Sequence, residues 1–154
     1  MISTLNSVVL FASLIFFPAE SPRERLNTYL DTSIPEWRFH LGDVSGAEQS
    51  DFDDTGWETV SVGHHWLPSD SIGWFRATIT LPETIAGFPT LGQRIRLICG
   101  MDNEASGYVN GEFRQRFEWR EGDILLTERG KPGEEFHIAL RGINRPGFGQ
   151  LLHA

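Results

Sequence analysis

The chain has 154 residues, 40% of them hydrophobic and 12% aromatic, and 13 Lys and Arg against 21 Asp and Glu give it a net charge of −8. That length and apolar content describe one folded domain with a core of its own and exclude a disordered polar chain. The acidic balance excludes the basic patch that nucleic acid requires and any attraction to an anionic membrane, and the single cysteine, Cys99, excludes an internal disulfide.

Ser7 to Phe17 is an apolar run, well short of the about 20 residues that span a membrane. It reads as the core of a signal peptide processed near Pro18-Ala19-Glu20-Ser21. It reads equally as a mis-assigned start or an apolar leader that packs on the domain. No Lys or Arg precedes it, and bulky Phe17 stands where a small residue is preferred. The signal reading makes the protein secreted or periplasmic; the other leaves it cytoplasmic. Pro22 to Leu30 predicts a short polar helix, capped by Ser21 with Pro22 at its first position. The chain thus divides into a leader at 1–20, a helix and linker at 21–35, and a domain at 36–154.

From Trp37 onward an alternation of period two dominates, the mark of strands with one face buried. Trp37, Phe39 and Leu41 share one face, with Arg38 and His40 on the other. Phe75, Ala77, Ile79 and Leu81 alternate with Arg76, Thr78 and Thr80 until Pro82 ends the run. Ile95, Leu97 and Cys99 alternate with Arg94, Arg96 and Ile98. Tyr108-Val109-Asn110-Gly111-Glu112 carries the strongest short-range hairpin signal, because both turn positions require positive φ. Ile124 to Thr127 predicts another short strand. Phe136, Ile138 and Leu140 then alternate with His137, Ala139 and Arg141, and Leu151 and Leu152 begin a last strand. Sixteen Gly and eight Pro punctuate these runs. Many short strands with turn signals between them predict an all-β sandwich or barrel.

Few residues in this pattern point to chemistry. Asp51, Asp53 and Asp54 form an acidic loop whose start imitates a calcium loop, with Gly56 at the sixth position. The twelfth position is Val62, not the bidentate glutamate an EF-hand requires, so the alternatives are a loose structural calcium site or a solvated turn whose Asp side chains cap local amides. His64 and His65 are adjacent and point to opposite faces of a strand, which opposes a shared metal; one reads as a rim histidine, the other as buried and hydrogen-bonded. Glu104, Glu118, Glu134 and Glu135 read as surface acids, and no spacing picks out the carboxylate pair of glycoside cleavage. There is no Gly-x-Ser-x-Gly nucleophile motif and no Lys-bearing phosphate loop. Among the aromatics, Trp57, Trp66, Trp74 and Trp119 are candidates for stacking on sugar rings, and most of them are expected in the core. Trp66 or Trp119, placed on a loop, is the one expected to be exposed. Trp66 and Trp119, together with His65, make up the candidate carbohydrate contacts.

Several blocks together resemble one known family. Trp37-Arg38-Phe39-His40-Leu41-Gly42-Asp43 resembles the opening strand of the N-terminal sugar-binding domain of glycoside hydrolase family two. Phe52 to Val62 resembles that domain's D-D-S-x-W-x-x-V-x-L-P block, followed by Gly63-His64-His65-Trp66 where P-H-x-W usually stands; Gly63 departs from that pattern. Gly73-Trp74-Phe75-Arg76 resembles its G-W-Y-R strand and Leu81-Pro82-Glu83 the exit from it. Gly100-Met101-Asp102-Asn103-Glu104-Ala105, followed by Tyr108-Val109-Asn110-Gly111, resembles G-V-D-x-x-A-x-V-Y-V-N-G. The ordered blocks cover roughly residues 36 to 153. Phe117-Glu118-Trp119, Leu125-Leu126-Thr127 and Lys131-Pro132-Gly133-Glu134 are similar to α-mannosidase-type hydrolases.

The resemblance implies a galactose-binding-like jelly-roll β-sandwich. It also implies that the catalytic carboxylates lie in a separate barrel, with no position of this chain matching them. The expectation is a non-catalytic accessory domain, a truncated or split piece of a hydrolase or a free-standing module, with no cofactor and with a carbohydrate or a glycosidase catalytic domain as partner. The alternative is a structural or interaction sandwich with no sugar affinity.

Overall fold

The computed structural model describes residues 33–118 and 121–154. The expected leader, the helix at 22–30 and Trp119 lie outside the described residues. Those described form twelve strands and no helix. The first six are β1 (Trp37–Leu41), β2 (Glu58–Val60), β3 (His65–Trp66), β4 (Ile72–Thr80), β5 (Thr84–Ile85) and β6 (Phe88–Pro89). The second six are β7 (Ile95–Asp102), β8 (Glu104–Val109), β9 (Glu112–Glu118), β10 (Gly122–Thr127), β11 (Glu135–Ile143) and β12 (Gly149–His153). The fold is an all-β sandwich, the first of the two forms that the alternation predicts and the one that the resemblance implies.

Two antiparallel sheets carry the core. One has six strands in the order β2-β1-β4-β11-β8-β9, the other four in the order β10-β7-β12-β3; β5 and β6 form a small separate hairpin. Their inward side chains make one cluster that includes Trp37, Phe39, Phe75, Leu97, Cys99, Met101, Phe136, Ile138, Leu140 and Leu151. Each burial removes apolar surface from water on the order of 2–3 kcal/mol per large side chain. The longest pairing, β4 with β11, runs unbroken from Glu135 opposite Thr80 to Ile143 opposite Ile72.

Two expected faces are corrected. Leu41 does not share the buried face of Trp37 and Phe39 and is 45% exposed, because it ends β1 opposite Gly73, where the chain turns away at Gly42 (φ 117°). Ala139, expected on the outward face of β11, is buried with Trp74 and Ala47 in a second apolar cluster. The segment between β1 and β2 folds back over the outer face of the six-stranded sheet, and Val44, Phe52 and Trp57 cover it. That sheet is therefore buried on both faces over part of its area.

The hairpin expected at Asn110-Gly111 forms, joining β8 to β9. Both residues take positive φ, 51° and 81°, as a two-residue primed turn demands. Asn110 also extends the ladder towards β11: its N–H donates to the His137 carbonyl at 2.8 Å, and the His137 N–H donates to Asn110 Oδ1 at 2.9 Å. A Cβ on Gly111 would stand 2.9 Å from Gln49 Oε1 in addition to the strain of its φ. Gly111→Ala is expected to cost about 1–2 kcal/mol, read from the urea denaturation midpoint.

Candidate functional site

The residues proposed for chemistry cluster around β3 and around the segment that precedes β2. At the start of β3 the two histidines do point apart. His64, just before the strand, turns inward with its ring 4.4 Å from Phe39 and 6.1 Å from Phe75. His65 points outward and meets the Phe148 ring edge-on at 4.9 Å. His64 is the half-buried one of the pair and His65 the exposed one. Its Nε2 is buried without a hydrogen-bond partner among the described residues, where the buried histidine of the pair is expected to be hydrogen-bonded.

His64 and the strand before it line an open groove of about 590 Å³, together with Pro35, Glu36, Glu58, Val60 and Gly63. Burial pushes the His64 imidazole below the ordinary histidine range; Glu58 opposes this and His65 adds to it. The folded state thus holds His64 neutral more firmly than the unfolded chain does. The stability tied to that preference is present above the unfolded value of 6.5 and is lost as the pH falls below it toward the folded value. We expect the urea midpoint to drop between about pH 7.5 and pH 5.5, and His64→Gln to flatten that slope.

Trp66, expected exposed on a loop, is corrected: it is 4% exposed and packs inside the sandwich. Its ring lies over Gly73, Gly142 and Gly149, where the missing side chains leave room for an indole. A sugar cannot reach its face without opening the core. His65 keeps the exposed position expected of it, and Phe148, 48% exposed, is the aromatic that stands beside it. No signal of alternation pointed to Phe148, because it follows Gly147 in a turn.

The acidic loop gives its three carboxylates different roles. Asp53 Oδ1 accepts from the Thr55 N–H at 3.1 Å and the Thr55 hydroxyl at 2.7 Å, and those bonds hold its carboxyl below the usual range. This is the local cap expected of a turn. Asp54 accepts from Arg76 Nε at 2.8 Å. Asp51 is exposed. A cation at this loop would compete with the Arg76 guanidinium for Asp54. Among the described residues no group of three or more His, Cys, Asp or Glu is placed to hold a metal.

Arg76 is the residue the sequence reading missed. It was assigned to the solvent face of its strand, yet it is 4% exposed under the β1–β2 segment. Its Nη1 donates to the carbonyls of Ala47 (2.5 Å) and Gln49 (2.9 Å), and its guanidinium lies 5.3 Å from the Phe52 ring centroid. Nearby, Asp43 binds Arg141 through both carboxylate oxygens and accepts from the Trp74 indole at 3.3 Å. The Arg141 bond is the main cause of the low Asp43 pKa. Glu104 is also corrected: its side chain is 12% exposed and pairs with Arg116 and Arg145, where a free surface acid was expected. Cys99 is buried between the sheets, and that burial pushes its thiol up to about 12, so it is no nucleophile.

No family model matches the chain. Among curated proteins, an aligned stretch of 84 residues is 33% identical to the β-galactosidase BoGH2A of Bacteroides ovatus, taking in 44% of this chain and 9% of that enzyme. Among solved structures, a β-glucuronidase of Bacteroides uniformis shares the fold over 78% of this chain and 16% of its own, with a TM-score of 0.63 at 19% identity. A family 2 glycosyl hydrolase of Bacteroides cellulosilyticus does so over 78% of this chain and 20% of its own, with a TM-score of 0.61 at 20% identity. The chain resembles a domain of glycoside hydrolase family 2. The blocks from Trp37 to Gly111 pointed to the same family. This family 2-like sandwich spans a tenth to a fifth of the enzymes it matches.

Proposed function

We propose that this family 2-like sandwich is a non-catalytic accessory domain of a glycoside hydrolase, serving to dock a catalytic domain or to contact carbohydrate. The observation that supports it is the size of the match: 9% of one β-galactosidase, and 16% and 20% of two solved hydrolases. The local chemistry agrees. Three acids of the domain hold structure: Asp43 on Arg141, Asp54 on Arg76 and Glu104 on Arg116 and Arg145. The Arg141 guanidinium holds the Asp43 carboxyl below its ordinary range, the wrong direction for a general acid.

The test is direct. The purified full chain is assayed on nitrophenyl β-galactoside and β-glucuronide and titrated calorimetrically with oligosaccharides. No turnover is expected. Hydrolysis that survives further purification and scales with chain concentration would overturn the non-catalytic reading. Heat of binding to a sugar, lost on His65→Ala, would favour the carbohydrate role over docking.

A further inference from the structure

A regular β9 would send Phe113 inward. In the second half of that strand Gln115 lies opposite Gly107 and Phe117 opposite Ala105, and Phe117 is buried. Alternation back from them puts Phe113 on the same inner face. The register shifts instead between Gly107 and Tyr108, so Arg114 is an extra residue and Phe113 faces Tyr108. This β-bulge turns the Phe113 ring to the outer face of the sheet, where it meets the Tyr108 ring edge-on at 5.8 Å and is 58% exposed. Tyr108 in turn lies 6.0 Å from the Trp74 ring, in the cluster that the β1–β2 segment covers. The outer face of β9 lies beyond that cover, and Phe113, Arg114 and Arg116 are exposed there.

Beside the ring stands a row of paired charges. Arg141, Ser106 and Arg116 face one another across β11, β8 and β9. The two arginines are two strand spacings apart, roughly 10 Å, with only a serine between them. Arg141 donates Nε and Nη2 to Asp43 at 3.0 and 2.8 Å. Arg116 donates to Glu104, which Arg145 also approaches at 3.5 Å, and Glu118 stands opposite Glu104. Three guanidiniums thus meet three carboxylates, and the row carries no net charge. An arginine has five N–H donors and a carboxylate about four acceptor positions, so a formed pair still has groups left for a ligand. Held in pairs, those groups keep their geometry as a ligand arrives, which lowers the ordering cost of binding.

Balanced donors and acceptors beside an exposed ring match a neutral sugar. Neighbouring hydroxyls of a pyranose both donate and accept, so they satisfy a guanidinium and a carboxylate together, while the C–H face of the sugar packs on the aromatic one. An acidic saccharide finds no excess of positive charge here and meets a chain of net charge −8. An apolar protein surface laid over the row would strip water from the ion pairs without replacing its hydrogen bonds.

We propose that the outer face of β8 and β9 is a subsite for a neutral hexose chain, with Phe113 under one pyranose ring and Ser106, Glu104 and Arg116 beside its hydroxyls. The inference rests on the carbohydrate arm of the accessory reading and gives it a place, on the opposite sheet from His65. To test it, the full chain is isotope-labelled and titrated with cellotetraose, galactotetraose and tetragalacturonic acid while its amide shifts are followed by NMR. At least one neutral tetramer is expected to move amides within residues 104–116 with a Kd in the millimolar range, and the acidic tetramer to bind about tenfold more weakly or less. Phe113→Ala is expected to weaken the neutral tetramer about fivefold to tenfold, and Phe113→Tyr to retain it. Arg116→Gln is expected to weaken it about threefold or more. Both positions are exposed, and unchanged shifts elsewhere in the chain show that each variant keeps its fold. His65→Ala is expected to leave the affinity as it is. No shift with any tetramer, equal binding of the acidic one, or full binding by Phe113→Ala would overturn the inference. Shifts confined to the start of β3 and lost on His65→Ala would also overturn it, while leaving the carbohydrate reading intact; turnover of a tetramer by the chain would break the accessory reading separately.

Discussion

Trp66→Ala is expected to destabilise the domain by about 3–5 kcal/mol, the range for deleting a large aromatic from a packed core. The reason is the slot this side chain fills. A Cβ on Gly149 would fall 2.2 Å from the Trp66 ring, one on Gly142 would fall 3.0 Å from it and 2.2 Å from Met101 Sδ, and one on Gly73 would fall 3.1 Å from it. Three glycines on two sheets thus yield their side-chain space to one indole. Removing the indole leaves a cavity that the glycines have no side chains to fill. The complementary substitution, Gly149→Ala, is expected to cost about 1–3 kcal/mol by overpacking the same slot. Urea denaturation measures both. A Trp66→Ala loss under about 0.5 kcal/mol, as for a surface position, would remove Trp66 from the core and restore it as a binding aromatic.

Arg76→Met is expected to cost about 3–5 kcal/mol, because it strips a buried charge partner from Asp54 and leaves chain carbonyls without donors. Arg76 joins the β4 strand to four points of the β1–β2 segment: Ala47, Gln49, Phe52 and Asp54. Native-state proteolysis and hydrogen exchange are expected to rise first in residues 43–57, ahead of β7 and β11. Arg76→Lys is expected to recover less than half of the loss, since an ammonium lacks the planar fork that serves several acceptors at once. If Arg76→Met leaves exchange in that segment unchanged, the tether is not what holds it on the sheet.

Arg76 also shows where the alternation stopped being informative. Period two separates the faces of a strand, and it placed Phe75, Leu97, Cys99, Ile138 and Leu140 in the core. It treats the second face as solvent. Here a long irregular segment covers that face, so Arg76 and Ala139 are buried where the pattern put them outside. β3 and β2, of two and three residues, are too short to show a period at all. The site suffered in the same way. Trp66 looked like a loop aromatic because the residues around it carry no strand signal, and only its pairing with Gly149 draws it inward.

The sequence by itself determined the all-β class, most of the inward faces, the turn at Asn110-Gly111 and the resemblance to family 2 hydrolases. These depend on local dihedral preference, on the two-residue period of a strand and on ordered short blocks, all of which are written along the chain. The tertiary structure alone decided which polar residues are buried and which aromatics are exposed. It turned Arg76 into a tether, placed Trp66 in a slot of glycines and joined Ser69 to Gly147 across 78 positions. Those outcomes depend on what the far side of each strand meets, and that neighbour comes from a distant part of the chain that no local pattern encodes.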